Sequence, residues 1–143
     1  MNAPNIPQQK QFKILLVGDN CIDVYQFGSV ERISPEAPVP VFKYSDQQTV
    51  AGMAGNVRAN LEALGCVVTF VAGSPSTKTR LIDSKSKQHL LRIDDDVVSD
   101  PLEFNDISVD PTFDAVVVSD YNKGFVSYEL IEQLVAKIGR AHV

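Results

Sequence analysis

Three short stretches of the 143-residue chain gather acids, amides and glycines in a way that suits a small hydroxylated ligand. They are Gly18-Asp19 with Asp23, Ala51-Gly52-Met53-Ala54-Gly55-Asn56, and Ser119-Asp120-Tyr121-Asn122-Lys123-Gly124. An ionised carboxylate only accepts hydrogen bonds and a sugar hydroxyl always has a proton to give, so Asp19, Asp23 and Asp120 are candidate hydroxyl acceptors. Gly52 and Gly55 remove the Cβ that would hold backbone N–H groups away from a ligand, at the positive end of a following helix, and Asn56 adds an amide that can donate and accept. Lys123 offers a point charge to a phosphate; Lys78, Arg80 and Arg92 add to it, the arginines as planar forks.

Taken singly, each feature has a plainer reading. An Asp after a strand caps a turn, a glycine pair makes a tight turn, and cations on a hairpin are solvated. Their joint placement at strand ends is what favours a ligand site. The glycine signatures G-x-x-x-x-G-K-[ST] and G-x-G-x-x-G are absent. His89 and His142 are the only histidines, which gives little support to a His-based triad or metal cluster, and no residue is assigned as a metal ligand. Asp94-Asp95-Asp96 invites a divalent cation, but adjacent acids at a strand end alternate faces and read as a solvated turn.

The elements that must position these residues follow from the hydrophobic pattern. Residues 12–18 form an apolar run ended by Gly-Asp-Asn, a strand buried on both faces that delivers polar groups at its C-terminal end, where open α/β sheets bind ligands. Residues 21–28 and 37–44 suit β-segments, and Pro38 and Pro40 confine the second to an edge or a peripheral sheet. A Gly-rich turn then opens a helix over 54–64 with Val57, Leu61 and Leu64 on one face and Gly65 as its stop. Residues 66–72 are a strand; 77–83 and 88–94 flank a polar spacer of hairpin length. The acidic stretch 95–114 reads as loop with a short helix. Residues 115–120 form a second fully buried strand, and 127–135 a helix with Ser127 as N-cap and Leu130, Ile131 and Leu134 on its apolar side.

Composition sets the class. With 13 Lys/Arg against 18 Asp/Glu, net charge -5 and 44% hydrophobic residues, this is one ordinary α/β-sized domain with no basic footprint for nucleic acid. Residues 1–11 form a polar tail without the apolar region of a signal peptide, and no stretch approaches the roughly 20 apolar residues of a spanning helix, so membrane binding is disfavoured and a cytoplasmic location expected. Cys21 and Cys66 lie in apolar runs and are expected to be reduced, core-like residues.

The residues resemble the ribokinase-like (PfkB) carbohydrate kinases, and among them the heptose 7-phosphate kinases of lipopolysaccharide precursor synthesis. The resemblance is carried by Val17-Gly18-Asp19 to Asp23-Val24-Tyr25, by Arg32-Ile33-Ser34-Pro35-Glu36-Ala37-Pro38-Val39-Pro40-Val41, and by Gly52-Met53-Ala54-Gly55-Asn56-Val57. Thr77-Lys78-Thr79-Arg80, Gln88 to Asp94 and Ser119 to Gly124 extend it. The resemblance implies a truncated α/β, Rossmann-like three-layer core carrying a small β-lid, partial over 12–137. It implies transfer of the ATP γ-phosphate, with Mg²⁺, to the anomeric hydroxyl of a heptose 7-phosphate. Asp23, Gly52, Gly55 and Asn56 would hold the sugar with Asp19 beside it; Arg80, Arg92 and Lys123 would serve the phosphate end. The lid would close over the site, excluding water, and pair with a second subunit.

Two departures accompany the resemblance. After Gly73 the family carries a further helix and strand that this chain lacks, and the family's catalytic Asp, in a Gly-x-Gly-Asp turn, has no counterpart here. Residues 138–143 are what ATC GGA AGA GCA CAC GTC encodes, a run resembling a sequencing-library adapter, so native sequence is expected to end near Ala136 or Lys137. A kinase for another sugar, or a non-catalytic sugar-phosphate-binding or dimerisation module, remain the alternatives.

Overall fold

The structure, a computed structural model, describes residues 11–109 and 112–138. The expected tail at 1–11, apart from Gln11, and the expected non-native ending, apart from Ile138, lie outside the described residues.

The apolar run at the start forms β1 (Lys13–Gly18), in which Ile14 to Val17 are all buried. It is central because both its ladders are occupied: β4 (Val67–Ala72) and β7 (Ala115–Ser119) pair with it in parallel, giving the order β4-β1-β7. Alternation along β1 then assigns its two faces. Leu15 and Val17 join Ile107, Phe125, Leu130 and Leu134, the last two from α2 (Tyr128–Ile138), in one core cluster. On the other face lies α1 (Ala54–Ala63), whose Arg58 guanidinium stands 5.6 Å from the centre of the Phe70 ring. Gly18 allows that approach, since a Cβ there would stand 3.0 Å from the Ala54 Cβ and would run into the Ser119 carbonyl. The core is therefore helix, parallel sheet, helix, the three-layer α/β arrangement expected. Burying leucines such as Leu130 and Leu134 stabilises it by about 1.5–3 kcal/mol each.

The lid is a separate four-stranded sheet in the order β3-β2-β5-β6, built from β2 (Asn20–Ile33), β3 (Pro40–Met53), β5 (Ser76–Asp83) and β6 (His89–Asp95). The hairpin is as expected: β5 and β6 pair antiparallel, and the Asp83 carboxylate accepts N–H bonds from Lys85 (3.1 Å) and Ser86 (2.6 Å) in the turn. Those bonds, the Ser86 amide first, hold the Asp83 carboxyl below its usual range. The Pro-containing strand is at the sheet edge, with Pro40 at its first position opposite Ile33.

Four expectations are corrected. Residues 51–53 are not a turn: they continue β3, paired with Asn20, Cys21 and Ile22, so the strand runs straight into α1 through Met53 at φ 48°. The apolar face read into α1 is only partly covered: Val57 and Leu61 are half-buried, whereas Leu64, just beyond the helix end, is 80% exposed. Strand β7 is an edge strand, only half-buried, because among the described residues it has one ladder partner. The acids read as a solvated turn are exposed, but Asp95 continues β6 one residue past the expected strand end. The N-cap holds: the Leu130 amide donates to Ser127 Oγ at 3.1 Å. Among the described residues no helix is long and apolar enough to cross a membrane.

Candidate functional site

Residues opposite one another in a ladder share a face, as do residues two apart on one strand. The register places Cys21 against Gly52 and Ser76, Asp23 against Lys78, Tyr25 against Arg80, Lys78 against Asp94, and Arg80 against Arg92. One face of the lid therefore carries Asp23, Tyr25, Lys78, Arg80, Arg92 and Asp94, and its end at Cys21, Gly52 and Ser76 adjoins the parallel core.

On this face Arg80 Nη1 donates to Asp23 Oδ1 at 2.5 Å, with the side chains 17% and 18% exposed. The guanidinium carbon also stands 5.1 Å from the centre of the Tyr25 ring, so Arg80 is held from two directions. Gly52 makes room for the pair, because a Cβ there would strike Asp23 Oδ2 and sit 3.2 Å from its Cγ. Gly55 has a packing duty of its own: a Cβ would lie 3.0 Å from Ala51 Cβ and 3.2 Å from Asn20 Oδ1. Asn56 follows it, exposed in the first turn of α1. Across the lid Arg92 clasps Asp94 through Nε (2.6 Å) and Nη2 (2.8 Å).

A second group forms where β1 and β7 end. Asp19 is 1% exposed, and its Oδ2 accepts from the amides of Tyr121 (2.6 Å) and Lys123 (3.2 Å). Its own amide donates to the Ser119 carbonyl and its carbonyl accepts from the Ala54 amide, both at 3.0 Å. One residue thus ties the ends of both strands to the start of α1. Its Oδ1 is buried with no partner among the described residues. Asp120 is exposed and accepts from the Asn122 amide at 2.7 Å, with Asn122 at φ 57°. Lys123 Nζ is paired with Asp96 at 2.8 Å.

Charge converges on the inner end of the lid face. Burial pushes the Cys21 thiol up, Asp23 adds to the rise, and Lys78 and Arg80 oppose it. The hydrogen bonds from Arg92 hold the Asp94 carboxyl below its ordinary value, with Lys78 and Arg80 contributing, and the same pair raises Arg92.

Of the residues singled out from sequence, Asp23, Gly52, Arg80 and Arg92 are brought to one face, while Asp19, Asp120 and Lys123 meet at the strand-end knot. The ion-pair partners Asp94 and Asp96 read in the sequence as a solvated turn, and Tyr25 beneath Arg80 has no role assigned there. The signal that could have found Tyr25 and Asp94 is the two-residue spacing of Asp23/Tyr25, Lys78/Arg80 and Arg92/Asp94 on alternating strands. Chemically, the face offers a carboxylate acceptor beside a row of cations, which suits a ligand with hydroxyls at one end and an anion at the other. Among the described residues no three His, Cys, Asp or Glu side chains cluster to hold a metal ion.

No protein-family model matches the chain. The chain is 32% identical over 156 aligned positions to the D-beta-D-heptose 7-phosphate kinase of Bordetella bronchiseptica, covering 87% of this chain and 49% of that protein. It is 34% identical over 163 positions to the bifunctional protein HldE of Sulfurimonas denitrificans, covering 87% of this chain and 33% of the relative. Among solved structures it is similar to a ribokinase from Thermotoga maritima, with 14% identity and a TM-score of 0.42 over 91% of this chain and 50% of that one. The chain spans about half the length of the first relative and a third of the second. By sequence it is a homologue of carbohydrate kinases, related over most of its length to the heptose 7-phosphate kinase and HldE proteins.

Proposed function

We propose that this chain supplies the acceptor-binding face and lid of an ATP-dependent carbohydrate kinase in the cytoplasm. Its acceptor is a sugar phosphate, heptose 7-phosphate, phosphorylated at the anomeric hydroxyl to the 1,7-bisphosphate. The observation that carries this reading is the Asp23–Arg80 pair seated over Gly52, on the same lid face as Lys78 and Arg92. Asp23 Oδ2 accepts from sugar hydroxyls while Arg80 fixes the carboxylate through Oδ1. Arg92 and Lys78 hold the 7-phosphate further along the face, and Lys123, Asp120 and Asn56 border the reacting end.

Closing the lid on the core excludes water, the competing phosphoryl acceptor. Phosphoryl transfer itself depends on in-line positioning of donor and acceptor. ATP and Mg²⁺ are supplied in the whole protein. With no Gly-x-Gly-Asp turn in the sequence, this chain provides positioning of the acceptor and no assigned base. The lid's opposite face presents Ile22, Leu91 and Ile93, which are 37%, 56% and 51% exposed and suit pairing with the lid of a second copy.

Replacing Asp23 with asparagine keeps the shape but removes the charge that both Arg80 and the sugar hydroxyls use. Charge-assisted hydrogen bonds contribute about 1.5–3 kcal/mol, so affinity for heptose 7-phosphate is expected to fall at least about tenfold. Titration calorimetry of the variant against the wild-type chain checks this; equal affinities would remove Asp23 from the site.

A further inference from the structure

The Arg92–Asp94 pair does not earn its place through stability. Both side chains are well exposed, at 49% and 40%, and an exposed ion pair adds little to folding. Asp is, moreover, disfavoured within strands. What the pair does have is defined geometry. Asp94 takes the side edge of the guanidinium, Nε and Nη2, at 2.6 and 2.8 Å, leaving the end edge with Nη1 without a partner among the described residues. The remaining cations differ: Arg80 is engaged with Asp23 and Lys123 with Asp96, while Lys78 offers a charge without a fork. Arg92 is therefore the one arginine on this face gripped at two points by a carboxylate with its end edge left open, whereas Arg80 is held through Nη1 alone and by the Tyr25 ring.

We infer that Asp94 is a positioning residue for phosphate recognition, holding Arg92 so that its free edge meets the phosphate monoester of the acceptor. This rests on the acceptor-binding reading above and adds to it the residue that confers preference for a phosphorylated sugar. The physical basis is pre-organisation. A long side chain already fixed loses less conformational freedom when its ligand arrives, and the two charges of the Asp94 carboxylate and the phosphate are kept on different edges of the same cation.

The experiment is a double-mutant cycle on the 143-residue chain, with affinity measured for heptose 7-phosphate and for the same heptose without phosphate. Removing the latch in Asp94→Ala is expected to weaken binding of the phosphorylated sugar by about three- to tenfold, the range for freeing one rotamer-rich side chain, and to leave the unphosphorylated sugar unaffected. In an Arg92→Ala background the same change is expected to have no effect on either ligand. Asp94→Asn, which keeps one acceptor oxygen, is expected to fall between wild type and Asp94→Ala, and it carries the test if the alanine variant misfolds. Unchanged or tighter phosphate binding in the Asp94 variants, equal losses for both ligands, or additive effects with Arg92→Ala would each overturn the inference. Failure of the wild-type chain to bind either sugar would overturn the functional reading and this inference with it.

Discussion

Gly52→Ala is expected to weaken binding of heptose 7-phosphate at least about tenfold and to cost about 1–3 kcal/mol of stability, the usual range for inserting a methyl group into a filled space. Gly52 is not at positive φ, unlike Gly65 and Gly124 among the described residues, so the effect is one of contact and not of backbone conformation. The new Cβ meets Asp23 Oδ2 directly, and Cys21 Cβ 3.3 Å away prevents it from settling toward the core. The carboxylate must then swing away from Arg80, which is itself held by Tyr25, so one methyl group disturbs the whole acceptor end. Chemical denaturation and calorimetry check both halves of the expectation. A Gly52→Ala chain with wild-type affinity would mean that Asp23 can bind sugar from another position and that its seat over Gly52 is incidental.

Asp19→Ala is expected to have the largest effect on folding. It strips the carboxylate, itself 1% exposed, from the partly buried Tyr121 and Lys123 amides, and hydrogen bonds to a charged group contribute about 1.5–3 kcal/mol each. The bonds lost also tie the loop after β7 to the end of β1, so the segment carrying Asp120 and Lys123 is expected to loosen. Asp19→Asn should recover most of this. Its amide oxygen can accept from both N–H groups, and the change removes a buried charge whose Oδ1 has no partner among the described residues. Thermal melts of the three chains distinguish the outcomes. If the alanine and asparagine variants were equally destabilised, charge and not hydrogen-bond acceptance would be the property that matters at this position.

The elements legible in the sequence are those with strong local signals. The β1 run, the hairpin with its polar spacer and the Ser127 cap each depend on neighbours a few residues apart, and the structure has all of them. What local pattern misses is decided by distant partners. Ala51-Gly52-Met53 has the composition of a turn, yet its pairing with residues 20–22 keeps it in strand conformation. Strand β7 is as apolar as β1, but only β1 is flanked on both sides. The same holds for the site. Residue types identified the candidate acids and cations, but the Asp23–Arg80 pair joins residues 57 apart in sequence, and no spacing rule specifies it. Asp94 and Asp96 read as solvated acids because their partners, Arg92 and Lys123, are fixed by strand alternation and by the packing of the β7 loop against the end of β6.

In the proposed function the lid face binds a sugar through Asp23 and its phosphate through the cations beyond it. The most direct test is calorimetric titration of the wild-type chain with heptose 7-phosphate and, separately, with the unphosphorylated heptose. Saturable binding of the phosphorylated sugar is expected, with affinity for the plain sugar at least about tenfold weaker, the difference expected from losing one charge-assisted contact. Binding of neither ligand, or of both with equal affinity, would contradict this reading.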